Sequence, residues 1–124
     1  MRIRFGTIFL GATLVATLFN GCYYDVESDL YPSGFCDTSA ISFTATVQPI
    51  LQSNCAVLGC HVAGGQGTGD FTTYAGFKAQ VDNGAVLPAI KYEGNGPFMP
   101  PGGMLEPCAI KQIELWIQAG APNN

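Results

Sequence analysis

The sequence predicts a small all-α domain with long glycine- and proline-rich loops, and three features lead there. Apolar residues recur at helical spacing in three segments separated by irregular chain. Sixteen glycines and eight prolines among 124 residues leave the chain few side chains for a core of its own. Five cysteines offer covalent reinforcement, a usage expected outside the reducing cytosol. At this length there is room for one domain of the usual size, about 100 to 150 residues.

The first helix is expected from Val47 to about Asn54. Thr46 can cap it, Pro49 falls in the first turn where no amide donor is needed, and Val47, Ile50 and Leu51 share one face. A second helix is expected over Tyr74–Asp82, capped by Thr73, with Phe77 and Val81 four apart and Gly84 just past its end. The third runs from Pro107 to Ala119. Proline suits a first helical position, Ile110, Ile113, Trp116 and Ile117 follow helical spacing, Gly120 supplies a stop and Pro122 forbids continuation. Trp116 is assigned to the core. Between Asn83 and Glu106 the chain is far longer than an ordinary connection, so it is either disordered or wrapped around something. Gly64-Gly65-Gln66-Gly67-Thr68-Gly69 lacks a preceding strand and the lysine of a phosphate-binding motif, and reads as a loop.

The front of the chain is expected to be a leader. Met1-Arg2-Ile3-Arg4 is a short basic start, and the apolar run from Ile8 to Phe19 is about a dozen residues where a spanning helix needs roughly twenty. Leu18-Phe19-Asn20-Gly21-Cys22 resembles a bacterial lipobox, which implies a signal peptide over 1–21 and a lipid on Cys22; ordinary cleavage nearby, with Cys22 a thiol or disulfide partner, is the alternative. Residues 22–35 hold Asp25, Glu27 and Asp29 beside Pro32, Ser33 and Gly34, and are expected to be an acidic tether, or else an ordered arm. An acidic stretch just after a lipidated cysteine also resembles the surface-export signals of some Gram-negative lipoproteins. The expected place is therefore the bacterial cell envelope, periplasm-facing or outer-membrane associated, with a membrane anchor through Cys22. Without Arg2 and Arg4, three lysines face nine carboxylates, a net charge of −6. That leaves no basic patch for nucleic acid and favours positively charged partners.

Chemistry concentrates in Cys55-Ala56-Val57-Leu58-Gly59-Cys60-His61. Attaching haem c requires two thiols to add across two vinyl groups, and a histidine beside the second thiol whose imidazole faces the iron. Cys-x-x-Cys-His is the common solution. Here four residues intervene, and the extra pair can bulge from the turn with help from Gly59 while the Cys60-His61 neighbour relation is kept. His61 is the one histidine of the chain, so its position directly after the second of two close cysteines is hard to ascribe to coincidence. The competing readings are a Cys55–Cys60 disulfide with His61 exposed, or a zinc site. Zinc fits less well, because two thiolates and one imidazole leave its tetrahedron incomplete. A sixth iron ligand is required for an electron carrier, and a thioether raises the reduction potential. Met99, in the stiff Pro97-Phe98-Met99-Pro100-Pro101 stretch, is the preferred donor; Met104, between Gly103 and Leu105, is the looser alternative.

These motifs together resemble a class I cytochrome c. More narrowly, Val47-Gln48-Pro49-Ile50-Leu51, Cys60-His61, Met99-Pro100-Pro101-Gly102-Gly103 and Trp116-Ile117-Gln118-Ala119-Gly120-Ala121-Pro122 resemble the small cytochrome c-like lipoproteins of Bacteroidetes-type bacteria. The resemblance covers about Cys36 to Asn124, a span of 36–124 for the haem domain. It implies a cytochrome c-like fold around one haem, electron transfer to redox partner proteins rather than enzyme chemistry, His61 as proximal ligand and Met99 as distal ligand. The longer cysteine spacer departs from the general family pattern. Cys36 and Cys108 remain, and a disulfide between them is the parsimonious reading against two separate thiols. It would close a loop of about seventy residues, worth about 3 to 4 kcal/mol on chain-entropy grounds. Two rival functions stay open: a haem-based ligand sensor or peroxidase-like domain, and a haem-free structural lipoprotein held by two disulfides.

Overall fold

The computed structural model describes residues 36–124. The expected signal peptide, the lipid on Cys22 and the tether over 22–35 lie outside the described residues. Within them the chain is helical, with no strand, which agrees with the all-α expectation at that coarse level. No helix among these residues is long and apolar enough to cross a membrane.

A π-helical turn, Phe43–Val47, leads directly into α1, Gln48–Asn54. The helical start therefore lies a turn earlier than the Thr46 cap implied. Ser42 is the capping residue, its hydroxyl accepting from the Ala45 amide at 3.1 Å, while the Thr46 hydroxyl accepts from the Ser42 amide. The reason is burial. Phe43, Val47 and Leu51 repeat every four residues, all three are buried, and winding the earlier turn brings Phe43 into the core beside the other two.

Helix α2, Tyr74–Asp82, has the expected bounds, and the Thr73 hydroxyl accepts from the Gly76 amide at 3.2 Å. Helix α3, Val86–Lys91, lies inside the segment that the sequence left as either disordered or wrapped. Val86 and Ile90, one turn apart, are buried, and Pro88 sits in the first turn where its missing amide costs nothing. Helix α4, Pro107–Gln118, ends one residue before the expected limit, with Ala119 as its cap and Gly120 following at φ 92°. It packs against the Phe43–Val47 turn and against α3, which it meets in part through Lys91 Nζ donating to Glu114 Oε1 at 2.6 Å. That pair holds the Glu114 carboxyl below its ordinary range, so its contribution is present at neutral pH and fades as acidification protonates Glu114.

Trp116 organises the centre. Its ring stacks on Phe77 at 5.7 Å and lies near Phe43 at 5.6 Å, and Tyr74 meets it edge-on. The indole Nε1 donates to the Pro122 carbonyl at 3.0 Å, so the buried ring leaves no polar atom unpaired. The chain beyond α4 folds back over the first turn, where the Asn124 side chain accepts from the Phe43 amide at 2.8 Å and its main-chain oxygen from the Thr44 amide at 2.9 Å.

Cys36 and Cys108 are bonded, with Cα atoms 5.3 Å apart and a separation of 72 positions in sequence. The bridge fastens the start of the described chain to the first turn of α4. Replacing both cysteines by serine should lower the unfolding free energy by about 2 to 4 kcal/mol. A denaturant titration checks this, and an unchanged midpoint would contradict it.

Candidate functional site

One cleft brings the chemically distinctive residues together. It encloses about 1020 Å³, at the upper end of the ~300–1,000 Å³ usual for small-molecule pockets. Its lining is drawn from every helix: Leu51 of α1, Phe77 of α2, Val86 and Ile90 of α3, and Ile113 of α4. Cys55, Cys60, His61 and Met99 complete it from the loops. Cys55 is partly buried in this apolar lining, whereas Cys60 is exposed at its edge.

The Cys55–His61 stretch is a closed loop rather than a continuation of α1. Leaving the helix, Cys55 donates its amide to the Leu51 carbonyl at 2.8 Å. The chain then turns at Gly59, φ 82°, so that the Cys60 amide reaches Val57 O at 2.9 Å and the His61 amide reaches Cys55 O at 3.1 Å. The spacer is thus accommodated as a bulge, with Leu58 98% exposed at its tip. Both cysteines carry free thiols, so the alternative Cys55–Cys60 disulfide is not what the structure contains. Burial, with Cys60 as a smaller influence, pushes the Cys55 thiol up to about 11, which keeps it protonated at neutral pH.

The His61 ring is fixed on two sides. Its Nδ1 lies 3.0 Å from the Thr68 carbonyl. Because a carbonyl only accepts, the proton belongs on Nδ1 and the free lone pair on Nε2. The ring also stacks on Phe71 with centroids 4.1 Å apart and planes 6° from parallel. Phe71 in turn meets Phe77 at 5.0 Å, and Phe77 stacks on Trp116, so the imidazole is backed by a continuous row of aromatic rings into the core.

Gly67 makes this arrangement possible. A β-carbon there would come within 2.7 Å of His61 Nδ1 and Cε1, closer than real β-carbons approach. Gly67→Ala should therefore push the imidazole off Phe71 and out of reach of the Thr68 carbonyl. Since His61 is the chain's one histidine, its imidazole proton resonances report the change without ambiguity. The upfield displacement imposed by the Phe71 ring should disappear in the variant; unchanged shifts would contradict the account.

Of the two methionines weighed as donors, Met99 lines the cleft, whereas Met104 is 54% exposed and contributes nothing to the lining. Met99 is tied to α3 by its amide, which donates to the Ala89 carbonyl at 3.0 Å. Among the described residues no group of three or more His, Cys, Asp or Glu side chains is placed to hold a metal ion. Sequence reasoning did not find Thr68, Gly67 or Phe71 as parts of the site. Thr68 acts through its main chain and Gly67 through an absent side chain, and neither leaves a signature in the sequence.

No protein family, curated protein or solved structure matches the chain.

Proposed function

We propose that the chain is an extracytoplasmic one-electron carrier holding a single haem c through Cys55 and Cys60, with His61 and Met99 as axial ligands. One observation carries the reading: a single large apolar cleft is lined at once by two unbridged thiols, an imidazole whose Nδ1 is committed elsewhere, and a thioether.

These residues fit a haem in kind as well as number. Cys55 and Cys60 are not bonded to each other and both line the cleft, which leaves each sulfur available for a separate vinyl group. The cleft volume suits a large flat apolar ligand. Bound haem supplies a one-electron iron couple. The chain's own residues do the rest. The Thr68 carbonyl fixes the His61 tautomer and ring orientation, as outer partners of metal-bound histidines commonly do. Phe71 limits ring rotation. Leu51, Phe77, Ile90 and Ile113 exclude water, and the Met99 thioether favours the reduced state. In the same reading Cys22 carries lipid, the domain sits in the bacterial cell envelope, and its partners are redox proteins rather than substrates.

The test is the full-length protein made in a bacterium able to mature c-type cytochromes. Haem staining should survive denaturing electrophoresis, and the ferrous protein should bind carbon monoxide only slowly because Met99 occupies the iron. Colourless, unstained protein would overturn the proposal; stained protein with rapid carbon monoxide binding would favour a ligand sensor instead.

A further inference from the structure

We infer that Tyr92 is a positioning residue, a clamp that holds the Pro97–Pro101 loop so that Met99 stays at the cleft. The inference rests on the haem reading above.

Tyr92 closes α3 in the left-handed conformation, φ 59° and ψ 41°. Such a position normally falls to glycine, because a β-carbon there crowds the following carbonyl. Glycine is available two residues on, at Gly94, yet the left-handed position holds a tyrosine. Burial does not explain the choice, since the ring is only partly buried and its neighbour Phe98 is exposed. Strained residues of this kind persist where surrounding contacts over-determine them, and they cluster at ligand clamps.

The contacts of Tyr92 fall on both sides of Met99. Its ring stacks on Phe98, centroids 4.9 Å apart and planes 15° from parallel, and its hydroxyl donates to the Pro100 carbonyl. The Met99 amide between them donates to Ala89 of the same helix. Three successive residues are thereby hung on the end of α3. The segment has no helix or strand of its own, and Gly94, Gly96, Gly102 and Gly103 flank it, so without these contacts little fixes its path.

A competition experiment on the haem-loaded ferric protein reads the clamp directly. Added imidazole must displace Met99, so its apparent affinity rises as the methionine is held less well. Tyr92→Phe keeps the ring stack and removes the hydroxyl, and should tighten imidazole binding by about three- to tenfold, the ratio one hydrogen bond commonly supports. Tyr92→Gly should tighten it further and Met99→Ala most of all, while haem staining stays at wild-type level throughout. Hydrogen exchange of the Met99 amide, followed on the protein as isolated, should accelerate in both Tyr92 variants with the helical circular dichroism unchanged. A purely structural role for the left-handed residue predicts the reverse for Tyr92→Gly, because glycine suits that backbone better.

If both Tyr92 variants titrate and exchange like wild type while Met99→Ala binds imidazole more tightly, the clamp is rejected and the haem reading stands. If the wild type carries no haem, or Met99→Ala titrates like wild type, the ligand assignment itself fails and the clamp fails with it.

Discussion

Cys60→Ala should yield a folded protein whose haem staining falls to a small fraction of wild type. Cys60 is the thiol directly before His61, and losing it removes one of the two proposed thioether links at the point where the axial imidazole is set. The side chain is exposed and sits in a loop closed by main-chain hydrogen bonds, so its removal should cost the polypeptide fold little. Circular dichroism of the variant should match wild type. His61→Ala separates attachment from ligation: the thiols remain, so covalent colour should persist in part while the iron loses its imidazole. Full staining of Cys60→Ala would mean that Cys60 does not attach haem.

Trp116→Ala should be the most destabilising single change in the core, lowering the unfolding free energy by about 3 to 5 kcal/mol. The ring is 1% exposed and touches Phe43, Tyr74 and Phe77, so alanine leaves a cavity bounded by aromatic faces that cannot all collapse into it. The Pro122 carbonyl would also lose its indole donor, and with it the tie between α4 and the returning chain. Against a typical total of about 5 to 15 kcal/mol, that loss consumes a large share of the stability. A denaturant titration measures it. Because Trp116 backs Phe77 and Phe71 behind His61, the upfield shift of the His61 ring protons should also weaken. A loss below about 1 kcal/mol would contradict the central place given to this ring.

The parts of the fold that were legible in the sequence are those with local causes. Helix α4 announces itself through Pro107 at the start, a regular isoleucine and tryptophan stripe, and Gly120 at the end. Helix α2 carries its own cap in Thr73. Helix α3 was illegible because six residues hold only one turn of apolar repeat, and Pro88 reads as a breaker unless the start is known. Its existence depends on Val86 and Ile90 finding a core to enter, which is a tertiary fact. The choice of Ser42 over Thr46 has the same origin, for both can cap and only the burial of Phe43 decides between them. The Cys36–Cys108 pairing followed from elimination rather than geometry, and the structure contains it.

The site divides along the same line. Cysteine, histidine and methionine are rare and chemically distinct, so Cys55, Cys60, His61 and Met99 could be singled out before any coordinates, and the structure places all four on one cleft. What holds them there was hidden. A carbonyl at residue 68, room for a ring at residue 67 and a stacked phenyl at residue 71 become meaningful only after the loop closes over His61. Tyr92 gave no signal because its partners lie six and eight residues away across a loop whose path follows no regular repeat.

The account turns on covalent attachment at one short stretch of chain. Proteolysis of the purified protein, followed by mass spectrometry of the peptide spanning residues 55–61, tests it without reference to activity or spectrum. The expected peptide carries the mass of one haem and takes up no thiol-alkylating reagent, since both sulfurs are thioethers. A peptide of unmodified mass that takes up reagent at both Cys55 and Cys60, recovered from a host that matures other c-type cytochromes, would contradict the account.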